Sequence, residues 1–90
     1  VLFRLYTENK NKRKIRKMTA NYFENFSLVK SVGYYKRKKE KSLIIEVITT
    51  NKKDNKKTEK NLNSLSKDIN KNNNQECCLI QKIENKSYLI

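Results

Sequence analysis

The chain has 90 residues, enough for one domain with one modest core, because a chain of this size buries only about 60–65% of the surface its unfolded form exposes. Its formal charge is +13, from 22 Lys and Arg against 9 Asp and Glu, and it contains no His, no Pro, no Trp and a single Gly. The missing His removes the usual acid/base and the commonest metal ligand, and one Gly cannot build a phosphate-cradling loop, so the sequence indicates a non-enzyme without cofactor or metal.

A basic balance this large favours an anionic partner, such as nucleic acid, another phosphate-bearing ligand like a nucleotide, or an acidic surface. Two features temper that inference. Eighteen of the cations are Lys and only Arg4, Arg13, Arg16 and Arg37 are Arg, the better reader of phosphate geometry. Abundant Lys, Asn and Ile is also what an AT-rich genome produces by codon bias. No apolar run approaches the ~20 residues of a membrane span and no secretory hydrophobic region is present, so a cytoplasmic location without a membrane partner is expected. Cys77 and Cys78 are adjacent, a spacing that serves neither a disulfide framework nor a metal, and they read as small apolar residues in a reducing compartment. The chain opens at Val1 on strand-like sequence without Met, and a few residues are expected to precede it.

Val1 to Thr7 reads as a strand, with Val1, Phe3 and Leu5 on one face and Leu2, Arg4 and Tyr6 on the other. The period then changes. From about Asn11 to Asn25, Ile15, Met18, Tyr22 and Phe26 recur at helical spacing, and Lys12, Arg13, Lys14, Arg16 and Lys17 crowd the first turns. Leu28 to Lys36 is a second strand whose facing is ambiguous, with Val29, Ser31, Gly33 and Tyr35 on one side and Leu28, Lys30, Val32 and Tyr34 on the other. A turn is expected within Arg37 to Lys41. Ser42 to Thr50 follows as a third strand, and its branched-aliphatic run Leu43, Ile44, Ile45, Val47, Ile48 requires a central position. Asn51 to Asp54 offers polar caps for a second helix marked by Thr58, Leu62, Leu65 and Ile69, which Asn70 to Asn74 ends. Glu76 to Glu84 is a last strand, followed by a tail with Tyr88, Leu89 and Ile90.

The order βαββαβ over residues 1–90 predicts a single α+β domain of ferredoxin-like type. Right-handed crossovers place both helices on one face of a four-stranded antiparallel sheet, in the strand order 4-1-3-2. In that topology the start of the first helix and the hairpin turn fall at one pole. An anion-binding rim is expected there from Lys12, Arg13, Arg16, Lys17, Lys36, Arg37, Lys38 and Lys39, with Tyr34 and Tyr35 at its edge to stack on a base. Lys67 and Lys71 should come close to this pole and Lys52 to Lys60 should lie at the other; the competing reading makes the basic runs solvated loops that keep a small protein soluble. Leu2, Tyr6, Ile44, Glu46 and Ile48 should point away from the helices, more apolar surface than a monomer leaves wet, so a homodimer through that face is expected. Glu46 should pair with Arg4 or Lys30 across the strands, or with the second subunit.

An RNA-recognition motif shares this element order but needs aromatics on its central strands. The third strand here offers Ile44, Glu46 and Ile48 outward, and the Gly33-Tyr34-Tyr35 cluster lies on the second strand, so that module is not indicated.

The series Tyr6-Thr7-Glu8, Tyr22-Phe23, Phe26, Gly33-Tyr34-Tyr35, Glu40-x-Ser42-Leu43-Ile44-Ile45-Glu46 and Asn74-Gln75-Glu76 resembles a set of small, mostly uncharacterised phage and prophage proteins. The resemblance implies a short protein of a phage or mobile element acting in a bacterial cytoplasm. It further implies a counter-defence role, by binding a nuclease complex of the host or sequestering a nucleotide signal. This chain is more basic than that set at Lys36 to Lys41, and no functional residue carries over. Three roles follow from the sequence. The first is a non-enzymatic binder of nucleic acid or a nucleotide at the basic pole. The second is a protein–protein inhibitor of a host nuclease or defence complex, and the third is a basic ribonucleoprotein component.

Overall fold

The computed structural model describes residues 1–74 and 78–84. Six elements follow one another as β1 (Leu2–Glu8), α1 (Lys12–Ala20), β2 (Ser27–Tyr35), β3 (Lys38–Ile48), α2 (Lys53–Asn72) and β4 (Leu79–Ile83). The strands form one antiparallel sheet in the order β2-β3-β1-β4, which makes the chain a ferredoxin-like α+β domain as the periodicities require. The branched-aliphatic strand β3 is indeed central.

Alternate residues of the two central strands, Phe3 and Leu5 with Leu43, Ile45 and Val47, are buried against Ile15 of α1 and Leu62, Leu65 and Ile69 of α2. Both helices therefore cover one face. Fully burying side chains of this kind stabilises by roughly 1.5–3 kcal/mol each, and these nine supply the core. Leu28 stands opposite Ile45 in the register, which settles the facing of β2: Leu28, Lys30, Val32 and Tyr34 look to the helix side.

The last two strands are shorter at their ends than the sequence reading, β3 stopping at Ile48 before Thr50 and β4 spanning Leu79–Ile83 without Cys78 and Glu84, and two boundaries differ more. Helix α1 stops at Ala20, well before Asn25. Asn21 donates its N–H to the carbonyls of Met18 and Thr19, and the N–H groups of Tyr22 and Phe23 both turn back to the Thr19 carbonyl at 3.0 Å. Tyr22, Phe23 and Phe26 still pack on the core, so an apolar period that looks helical is carried past Ala20 by a turn. The hairpin turn is also earlier. It is made by Lys36 and Arg37, at φ 49° and 65°, and β3 begins at Lys38 instead of Ser42. Backbone pairing extends through the charged residues because a strand edge needs no apolar side chain to complete its hydrogen bonds.

Helix α2 starts as expected beside Asn51, whose side-chain oxygen accepts the Lys53 N–H at 3.1 Å. In β4, Glu76 and Cys77 of the expected strand lie outside the described residues, as does the tail Asn85 to Ile90. Cys78 donates its thiol to Asn70 Oδ1 at 3.3 Å. No helix among the described residues is long and apolar enough to cross a membrane.

Candidate nucleic-acid interface

Unequal strand lengths create the main feature of the surface. β1 ends with Glu8 opposite Ser42, but β2 and β3 stay paired as far as Tyr35 opposite Lys38. At a rise of about 3.4 Å per residue, the hairpin stands roughly 14 Å clear of β1 as a two-stranded ribbon. Lys36, Arg37, Lys38, Lys39 and Lys41 on this ribbon are all exposed. Both turn residues occupy the left-handed region, which costs about 1–2 kcal/mol for a side chain other than Gly. Cations therefore stand where turn chemistry alone would favour Asn-Gly.

The β1–α1 connection leans on the root of this ribbon, since the Asn9 N–H donates to the Lys41 carbonyl at 3.1 Å. Helix α1 begins there. Its N-cap, Asn11, sits at φ 54°, makes no capping hydrogen bond with its side chain, and is followed by no acidic residue in the first turn. Lys12, Arg13, Arg16 and Lys17 are all exposed on this helix. Cations beside a helix N-terminus oppose its dipole, at a few tenths of a kcal/mol each. The start of α1 and the ribbon therefore share one end of the molecule.

One cation of the run has a different role. Lys14 donates its ammonium to the Asn72 carbonyl at 2.8 Å, at the C-terminal end of α2. Asn73, almost fully buried, donates to the Lys10 carbonyl at 2.8 Å and completes the docking of α2 on the start of α1. Sequence reasoning could not assign this, because it depends on where α2 ends. Lys71 lies in the last turn of α2 and so at the basic pole. Lys52 to Lys60 lie at the opposite end, where the Thr49 N–H donates to the Val1 carbonyl at 2.8 Å and the Thr49 hydroxyl meets Asn55.

Helical geometry divides the α1 cations further. Lys14 and Met18, one turn apart, flank α2, where Met18 meets Asn72. Arg13 and Lys17 share the outer face, and with Asn11 and Lys14 they line an open hollow of about 380 Å³. Lys12 and Arg16 fall on the flank away from α2. Because α2 is tied to β4 by the Lys82–Glu59 ion pair at 3.6 Å, that flank is the one on the β2–β3 side. Tyr34 pairs with Lys39 on the helix-side face of the ribbon and is 75% exposed. Lys12 and Arg16 thus lie on the β2–β3 side of α1, and Lys39 and Tyr34 on the helix-side face of the ribbon. Tyr35 pairs with Lys38 through its backbone, and its side chain is outside what is described.

A larger hollow, about 540 Å³, lies at the step where β1 stops. It contains Glu8 and Glu40 as well as Lys10 and Lys41, so its charges balance and it does not favour an anion. Among the described residues, no cluster of three or more His, Cys, Asp or Glu could hold a metal.

The face of the sheet opposite the two helices is banded. Leu2 aligns with Ile48 and Ile83 in one apolar row, and Tyr6 aligns with Ile44 and Leu79 in another, extended by Val29. Between them lies the row Gln81, Arg4, Glu46. Arg4 pairs with Glu46 at 3.1 Å, one of the partners its position allowed, whereas Lys30 looks to the other face. The hydrogen bond to Glu46, and a smaller contribution from Tyr6, hold the guanidinium pKa above its ordinary value. Tyr6 donates its hydroxyl to Gln81 at 2.9 Å. Compared with known proteins, the chain matches no family model, no curated protein and no solved structure.

Proposed function

We propose that the chain is a non-enzymatic nucleic-acid-binding protein that grips the phosphate backbone between the basic β2–β3 ribbon and the start of α1. The observation that carries this reading is the ribbon itself, a projecting arm whose turn and flanks hold Lys36, Arg37, Lys38, Lys39 and Lys41 in solvent. An arm of this shape suits an extended polyanion. A mononucleotide is served less well, since the hollows are open and the one beside the ribbon, at the step where β1 stops, is charge-balanced. Tyr34, beside Lys39, offers a face on which an unpaired base can stack, a contact worth about 1–3 kcal/mol.

Binding of labelled single- and double-stranded oligonucleotides, followed by fluorescence anisotropy across a salt series, tests the proposal. With four cations engaged, log K should fall against log salt with a slope of about −3 to −4. Reversing Arg13, Arg16, Arg37 and Lys38 to Glu should abolish binding, whereas reversing Lys53, Lys56 and Lys57 at the far pole should change it little. Affinity that is indifferent to salt, or that survives the first set of reversals, rules the reading out.

A further inference from the structure

We infer that the open face of the sheet is covered by a second copy of this chain, packed sheet to sheet about a two-fold axis parallel to the strands and lying between β1 and β3. By register, the ionised groups on that face are Arg4 and Lys38 against Glu8, Glu40 and Glu46, two positive and three negative for a net of −1. The whole chain carries +13. The sheet face opposite the helices is therefore the one described surface without net positive charge, where a second copy meets least repulsion and nucleic acid is least suited.

The face is also complementary to itself. An interface between identical chains must match a surface to its own rotated image. The proposed axis exchanges β1 with β3 and β4 with β2. It sets Leu2 over the partner's Ile48, Tyr6 over the partner's Ile44, and Arg4 over the partner's Glu46. Apolar rows meet apolar rows, and the two ion pairs close into a quartet of alternating sign. An axis laid across the strands along the Arg4 row would instead oppose guanidinium to guanidinium, which electrostatics disfavours. Aligned sheet packing, with strands within about 30°, accommodates this pairing.

Four strands at ~4.8 Å spacing and about seven residues long present a face of roughly 450 Å² in plan. Two such faces, with side-chain relief added, reach the ~1,000 Å² that a specific interface requires. Ile48 and Leu79, 72% and 65% exposed in the single chain, supply apolar contact where the monomer leaves it wet. Because the axis runs along the strands, both basic ribbons emerge at the same end of the dimer.

Sedimentation equilibrium of reduced, nucleic-acid-free protein at about 100 µM, enough to populate a dimer of micromolar affinity, tests this. The expected mass is twice the 10.8 kDa of one chain. Ile48→Lys with Leu79→Lys should give a monomer that keeps its circular dichroism and unfolds cooperatively, because neither side chain is in the core. Glu46→Arg should weaken association about tenfold or more, and adding Arg4→Glu should restore it. A monomeric wild type overturns the inference, as does a dimer that survives both lysines. Failure of the double charge exchange to restore association overturns the axis.

Discussion

At the scale of the residue, the contacts that matter join α1 and its following turn to α2. The Tyr22 hydroxyl donates to the Asp68 carboxylate. That hydrogen bond, then partial burial and the nearby negative charge, raise the phenol pKa above its usual 10. A raised pKa means that the folded state favours the neutral phenol, so this contribution is whole below pH 10 and is lost as pH climbs through the folded value. Tyr22→Phe should lower the urea midpoint at pH 7, and the gap from wild type should close above pH 10, where the parent phenol ionises. Lys14 makes a second prediction. Its ammonium meets the last carbonyls of α2, so Lys14→Met should destabilise the fold by about 0.3–1 kcal/mol, measured by chemical denaturation at low salt. The same change should affect nucleic-acid affinity less than Arg16→Met, since Lys14 is engaged by α2.

At the scale of the element, the ribbon turn sets stability against charge. Lys36 and Arg37 hold left-handed backbone that Asn-Gly would adopt at less cost. Replacing them, Lys36→Asn with Arg37→Gly, should raise the thermal midpoint by calorimetry while making the salt slope of nucleic-acid binding shallower by roughly 1.5–2 units, because two cations are gone. A turn whose cations take no part in binding would show the first effect without the second. This turn also shows what the sequence could and could not disclose. Strand β3 was legible from Leu43 to Ile48 because branched aliphatics leave few alternatives to a central strand, and the sheet order followed from it. The turn position was not legible, since Lys-Arg carries no turn signal and Lys38 to Lys41 pair only through backbone. The end of α1 was hidden for a related reason: Tyr22 and Phe26 pack half-buried on the core at helical spacing from a turn, and periodicity reports burial rather than hydrogen bonding. For the candidate site, topology alone brought the α1 start and the hairpin to one pole. The 14 Å projection of the ribbon, about four residues, was invisible because it depends on β1 ending where it does.

At the scale of the whole molecule, the excess of positive charge acts on folding and binding with opposite sign. A chain at +13 repels itself when compact, and its described ion pairs, Arg4–Glu46 and Lys82–Glu59, lie at the surface where solvent screens them and each contributes little. Screening should therefore relieve more repulsion than it removes attraction. Between about 20 mM and 300 mM salt the Debye length shrinks from roughly 20 Å to 6 Å, shorter than the span between the two poles of a molecule 37 Å in its longest dimension. The thermal midpoint of the free protein should rise across that range, while its affinity for oligonucleotide falls. Calorimetry and anisotropy on the same preparation check both. A midpoint that fell with salt would mean that attractive pairs outweigh the repulsion, and the basic pole would then be held together by internal partners instead of being left open for phosphate.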